Sequence, residues 1–359
     1  MKIFLDTNIF YNDWFMKNAN FKYLFNYINN DGHSLVLSKL VVQESENIRN
    51  REIKEAVNEI NKNIKKAQKL NSKILNFDSE KIGIESYNLI DLIKLKTDYI
   101  EIVDYESVSH NEVVERALIN KKPFIEGEKG YRDTLIWLSF LEYLKNKEIT
   151  EEIAFISQNS SDFFKIKNKI VSFNQDLSED LLAMNLEITP FSSLFDFINN
   201  NVDKDAHILD YYNSEDLFEE FITDSATEYL ENLSNSDLSS YLDNSIFNTK
   251  VNNILDIRVD VFEGLEDPEV LYTKSLENND IYVSYRYNLR RVTLEVDIQE
   301  IVYLLNKDEL DSIFYDVEIN SEIATMFCLV RPYLDVSFIY NEREELLKDY
   351  EVDTLWLRI

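Results

Sequence analysis

The chain has 359 residues, 45% of them apolar, with a formal net charge of −30 at pH 7, a length that exceeds one ordinary domain and predicts two. No run approaches the ~20 apolar residues of a membrane span, Cys328 has no partner for an intrachain disulfide, and MKIFLDTNIF meets an acid before any signal-type stretch, so a soluble cytoplasmic protein with no membrane contact is expected. The charge is uneven: residues 201–359 hold 36 acids against 12 bases and the first 200 hold 31 against 25, so the second half repels a phosphate backbone while the first need not.

In chain order, residues 2–5 (KIFL) predict a buried strand ending at Asp6, and 34–37 (SLVL) a second. A helical period then runs from Ser38 to about Lys73, with Glu44 near its start. Lys62, Lys65, Lys66, Lys69 and Lys73 read as its solvated face. Ser109 to Glu112 fits a capping box opening the helix NEVVERALI, which Lys122-Pro123 ends. The loop IEGEKGYR leads to Asp133 and an apolar helix carrying Leu135, Ile136, Leu138, Leu141 and Leu144. Taken alone, Asp133 reads as a cap for that helix. Residues 153–157 (IAFIS) predict another buried strand, followed by the polar turn QNSSD.

Strands alternating with helices over 1–195 predict an α/β domain, a mainly parallel sheet flanked by helices. Residues 196–213 read as a linker and 214–233 as an acidic amphipathic helix. The period-two segments IRVDVFE, IYVSYRYNL, RVTLEVDI and LDVSFIY make 214–359 an acidic α+β domain with a largely antiparallel sheet. Tyr282, Tyr285 and Tyr287 are expected to pack on it.

Four acids stand at the ends of elements: Asp6, Glu44, Asp133 and Asp162. In an open parallel sheet these positions converge on one edge, where ligands bind. Two unit charges ~4 Å apart repel by about 4 kcal/mol at an effective dielectric near 20, so such a cluster protonates or takes up a cation. All-oxygen donors suit Mg²⁺ or Mn²⁺ rather than Zn²⁺, and such an ion activates water and holds phosphate oxygens.

The succession FLDTN, LSKLVVQES, ERALINKKPF…GEKGYRDTLIWLSFLE and IAFISQNSSDFF resembles PIN-domain nucleases. It looks especially like the larger bacterial PIN-like proteins with an R-A-x(3)-K-P-F…K-G-Y-R-D-x-L-I-W signature, over about residues 1–195. The resemblance implies that Asp6, Glu44 and Asp133 are metal-binding, catalytic acids and that Asp162 is the less constant fourth. Thr7 and Asn8 are then supporting residues that orient Asp6. Asn159 stands where many members carry an acid, so one cation is expected rather than two. Arg116, Lys121, Lys122, Lys129 and Arg132 crowd the signature and are expected to meet the nucleic-acid backbone, Lys129 and Arg132 foremost. RNA is favoured over DNA because the family is chiefly ribonucleolytic, and a toxin or antiphage-defence role follows by analogy. The acidic half is expected to regulate, to bind a protein partner or to form a homo-oligomer. The rival reading is a catalytically silent PIN-like binding or assembly module.

Overall fold

The computed structural model describes every residue except 12, 71–83, 125–128, 148–150, 168–169, 204–208, 210 and 359. Lys73 and part of the 196–213 segment therefore lie outside the described residues. Contacts divide the chain into two units, Met1–Lys17 with Leu24–Asn201 and Asn18–Tyr23 with Val202–Ile359.

In the first unit the apolar run Lys2–Leu5 is strand β1, buried at all but its first residue. Parallel sheets covered on both faces need such continuous apolar text. β1 lies between β2 (Ser34–Ser38) and β4 (Ile153–Ile156), with Ile3 opposite both Leu35 and Ala154. Two short parallel strands, β3 (Ile100–Val103) and β7 (Thr189–Phe191), extend the sheet to the order β3-β2-β1-β4-β7.

Helices connect the strands: α1 (Ala19–Asp31), α2 (Lys39–Leu70), α3 (Leu89–Lys94), α4 (His110–Leu118) and α5 (Tyr131–Lys147). After β4 come the single turn α6 (Ser160–Phe163), the hairpin β5 (Phe164–Lys167) and β6 (Ile170–Phe173), then α7 (Gln175–Met184) and α8 (Leu194–Asn201). Ser109 precedes α4, but its side chain makes no cap hydrogen bond, so the capping box expected there is not formed. α8 occupies residues assigned to the linker, because Leu194, Phe195, Phe197 and Ile198 are buried. Lys62, Lys65, Lys66 and Lys69 are exposed along the outer part of α2.

The core beneath the sheet is aromatic. Phe4 stacks on Phe155 at 5.1 Å and 7°, and Phe140 and Trp137 close around the pair. Trp137 is fully buried, and its indole N–H donates to Asp180 Oδ2 at 3.0 Å. That bond meets the polar need of an otherwise apolar ring.

The second unit is built on an antiparallel sheet of β8 (Asp256–Ser275), β9 (Asp280–Gln299), β10 (Asp316–Asn320), β11 (Ile323–Asn341) and β12 (Leu346–Arg358). The order is β10-β11-β9-β8, with β12 also paired to β11. IYVSYRYNL and RVTLEVDI, read as separate segments, are one 20-residue strand. The helix α9 (Tyr211–Glu231) supplies Phe218, Ile222, Ala226 and Leu230 to the core, a stripe of four-residue steps that keeps to one helix face. Tyr285 and Tyr287 belong to that core, and Tyr282 is fully buried as well. No described helix is long and apolar enough to cross a membrane.

Candidate active site

The strand order reverses at β1, with β2 on one side and β4 on the other. The carboxyl ends of these strands therefore open on a shared crevice. Asp6 is the first residue past β1 and caps a 3-10 turn, Thr7–Phe10. Its Oδ1 accepts from the Thr7 backbone N–H at 2.8 Å, and its Oδ2 accepts from Ser157 Oγ–H at 2.7 Å. Ser157, directly after β4, also accepts the backbone N–H of Asn159 at 3.0 Å. Asn8 joins the two strand ends, donating to Ser157 Oγ and accepting the Gln158 N–H at 3.0 Å. Glu44 arrives from the second turn of α2. Thr7 Oγ1–H donates to its Oε2 at 2.9 Å, and Arg132 pairs with its Oε1.

Asp133 reaches the crevice through the signature block. Gly130 has φ +94°, and a Cβ there would lie 2.2 Å from the Pro123 carbonyl oxygen. Only glycine combines that backbone angle with so close an approach. The Gly130 carbonyl accepts the Thr134 N–H at 2.9 Å and so begins α5. Asp133 falls in the first turn, and its carboxyl is stabilised by its own backbone N–H at the positive end of the helix. It thus joins the helix start and the crevice at once. Behind it, Ile136, Leu138, Leu141 and Leu144 are buried as the apolar period requires.

Asp6, Thr7, Asn8, Tyr11, Glu44, Arg132, Asp133, Gln158 and Asn159 line one cavity of about 370 Å³. Burial pushes the Asp6 carboxyl up to about 7; the Ser157 and Thr7 hydrogen bonds oppose the shift and the charges of Asp133 and Glu44 add to it. Burial, then the charges of Asp162 and Glu44, push Asp133 up to about 6 against its own N–H and Arg132. The Tyr11 hydroxyl, burial first and the acids second, rises to about 12. These shifts mark acids whose charge is kept from water first and from a matching cation second.

The donor chemistry therefore fits a hard divalent cation: three carboxyls from separated segments, no sulfur or nitrogen, and raised pKa values that a cation would reverse. As the side chains stand, no group of three or more His, Cys, Asp or Glu among the described residues is drawn together closely enough to hold an ion. Arg132 on Glu44 supplies the positive charge instead.

Asp162 departs from the expectation. It is buried and absent from the cavity wall. Its Oδ2 accepts from Asn159 Nδ2 at 2.7 Å, and its Oδ1 lies 3.7 Å from Lys122 Nζ. The same Asn159 amide stands 3.5 Å from Asp133 Oδ1. Asn159 is thus a neutral donor between two acids, and Asp162 acts on the cavity through it and through its charge on Asp133.

The five basic residues separate. Arg116 is 5% exposed, and its Nη2 donates to Asp180 Oδ2 at 2.7 Å and to the Lys122 carbonyl. Lys121 Nζ donates to Asp180 Oδ1 at 2.8 Å. Lys122 spends its backbone N–H on Asp176 and its Nζ on the Ser161 carbonyl, both at 2.8 Å. These three fasten the loop after α4 to α6 and α7, and Arg116 has no surface to offer a phosphate. Lys129 and Arg132 are exposed, and Arg132 lines the cavity. Asp180, Ser157 and Tyr11 were not singled out in the sequence. Ser157 carries a signal as the hydroxyl residue closing the IAFIS run; Asp180 carries none.

Residues 3–163 match the model of the PIN domain family. No curated protein and no solved structure matches the chain.

Proposed function

We propose that this PIN-like domain is a divalent-cation-dependent nuclease that hydrolyses phosphodiester bonds. The observation that carries the reading is the convergence of Asp6, Glu44 and Asp133 on one polar hollow, with two of the three carboxyls held above their ordinary range. Those three residues would hold Mg²⁺ or Mn²⁺. When bound, such an ion supplies Lewis acidity, easing deprotonation of water and offsetting charge on a phosphate oxygen.

The remaining work belongs to the chain itself. Ser157 and the Thr7 backbone fix both oxygens of Asp6. Thr7 Oγ1 orients Glu44, and Asn159 steadies Asp133 and Asp162 together. Arg132, at the cavity wall, turns from Glu44 to a phosphate oxygen as substrate enters, because a guanidinium matches either partner in bidentate fashion. Lys129 adds charge for the flanking backbone. RNA is the favoured substrate and a toxin or antiphage-defence role the favoured setting, both by family analogy. The acidic second unit serves regulation or assembly, since its charge repels nucleic acid.

A second reading, a silent binding module, has its own support in the neutral Asn159 and in the Arg132–Glu44 pair. Incubation of the full chain with mixed single-stranded RNA and DNA, with and without Mn²⁺, separates the two. The nuclease reading expects Mn²⁺-dependent cleavage, RNA first, lost in folded Asp6→Asn and Asp133→Asn. Equal cleavage by parent and variants rejects it.

A further inference from the structure

We infer that Tyr11 is the base-stacking residue of this site, and that its ligand is an unpaired nucleotide of a single strand; this rests on the nuclease reading above. The 3-10 turn that starts at Asp6 ends at Tyr11, whose N–H closes it on the Asn8 carbonyl. Ile9 and Phe10 in the same turn are buried, so the turn is anchored from below. One turn of backbone therefore carries an acid of the cavity at one end and an aromatic ring at the other. That ring is 41% exposed and lines the same cavity as Asp6, Glu44 and Asp133.

Behind Tyr11 lies a built support. Trp14 packs against it with centroids 5.7 Å apart at 46°. Trp14 is itself held by Tyr87, whose ring stands edge-on at 6.3 Å and whose hydroxyl donates to the Trp14 carbonyl at 2.7 Å. The Arg49 guanidinium of α2 lies 5.2 Å from the Tyr87 ring centroid. Tyr11 is thus braced by Trp14 while it stays exposed at the cavity wall.

The occupant follows from what stands around the ring. Exposed Arg132 on the cavity wall calls for an anion, the acids call for a cation between them and that anion, and the open ring calls for a flat partner. A nucleotide joins an anion and a flat ring in one unit. Every base offers a π-face, so the contact tolerates sequence. A base inside a duplex already has both faces stacked, so the ring selects single strands.

The test uses the full chain as background, with Ca²⁺ in place of Mn²⁺ and the bound strand checked to be intact, and the same chain with Tyr11→Ala or Tyr11→Phe added. Fluorescence anisotropy of a labelled, unstructured pyrimidine strand is compared with its duplex. Tyr11→Ala is expected to lose about tenfold or more in single-strand affinity, in line with the loss of one base–aromatic stack. Tyr11→Phe is expected to stay within about twofold of its background, and duplex affinity to be weak and equal in all three. Equal single-strand binding by Tyr11→Ala, a Tyr11→Phe loss as large as that of alanine, the same Tyr11 dependence for duplex, or no binding by the background each overturns the inference. Cleavage by the parent with Mn²⁺ is read separately: binding that depends on Tyr11 without any cleavage sinks the nuclease reading alone.

Discussion

Asp6→Asn is expected to make the cation-free protein more stable while removing its response to divalent ions. The Asp6 carboxyl rises from 3.8 in the ordinary state to about 7 when folded, chiefly through burial. The folded state therefore holds a proton that the unfolded state has released between these two values, and stability falls as pH rises through that window. At about 1.4 kcal/mol per pKa unit the full cost of the charge comes to somewhat over 4 kcal/mol well above pH 7. Part of it is repulsion shared with Asp133, and the amide gives up some of the strength of the Ser157 bond. A net gain of about 2 kcal/mol at pH 8 remains, about 4–8 °C in melting temperature for a unit of this size. The assay is thermal unfolding of parent and variant in EDTA from pH 4 to 8, repeated with Mn²⁺. The gap should be widest at pH 8 and close near pH 4. Mn²⁺ should raise the parent's melting temperature and leave the variant's unchanged. A variant less stable than the parent at pH 8, or a gap independent of pH, refutes the reasoning.

Three further outcomes follow from the same geometry. Ser157→Ala removes the hydrogen bond that most opposes the rise of the Asp6 carboxyl; the acid limb of the pH–cleavage profile is expected to move upward, and a downward or absent shift counts against the assigned bond. Gly130→Ala places a Cβ against the Pro123 carbonyl at an unfavourable φ, and urea unfolding should register a loss of about 2–4 kcal/mol; a variant within about 0.5 kcal/mol of the parent denies the close approach. Arg132→Gln releases Glu44 from its guanidinium, so Mn²⁺ is expected to bind more tightly while the nucleic acid binds more weakly; calorimetry showing weaker Mn²⁺ binding contradicts the competition between guanidinium and ion.

What could be read in the sequence is what is local. The runs KIFL, SLVL and IAFIS are β1, β2 and β4 because buried parallel strands carry continuous apolar text. The acids that end or begin elements, Asp6, Glu44 and Asp133, were visible for the same reason, and the structure brings them to one hollow. β3 and β7 lie at the sheet edges with mixed text, IEIV and TPF, and give no such signal. Long-range pairing was also hidden: nothing in QDLSEDLLAM announces that Asp180 receives Arg116, Lys121 and Trp137, so Arg116 could not be told from a surface base. Arg290 falls between the segments IYVSYRYNL and RVTLEVDI, and Arg291 opens the second of them. They are exposed on β9 where its pairing with β8 and β11 shifts register, which solvates the pair without ending the strand.

Whether three acids share one ion is measured directly by titration calorimetry of the full chain with Mn²⁺ at pH 7.5. A shared ion predicts saturable binding of about one ion per chain in the parent and none in folded Asp133→Asn. No heat from the parent, or an unchanged isotherm in the variant, contradicts it.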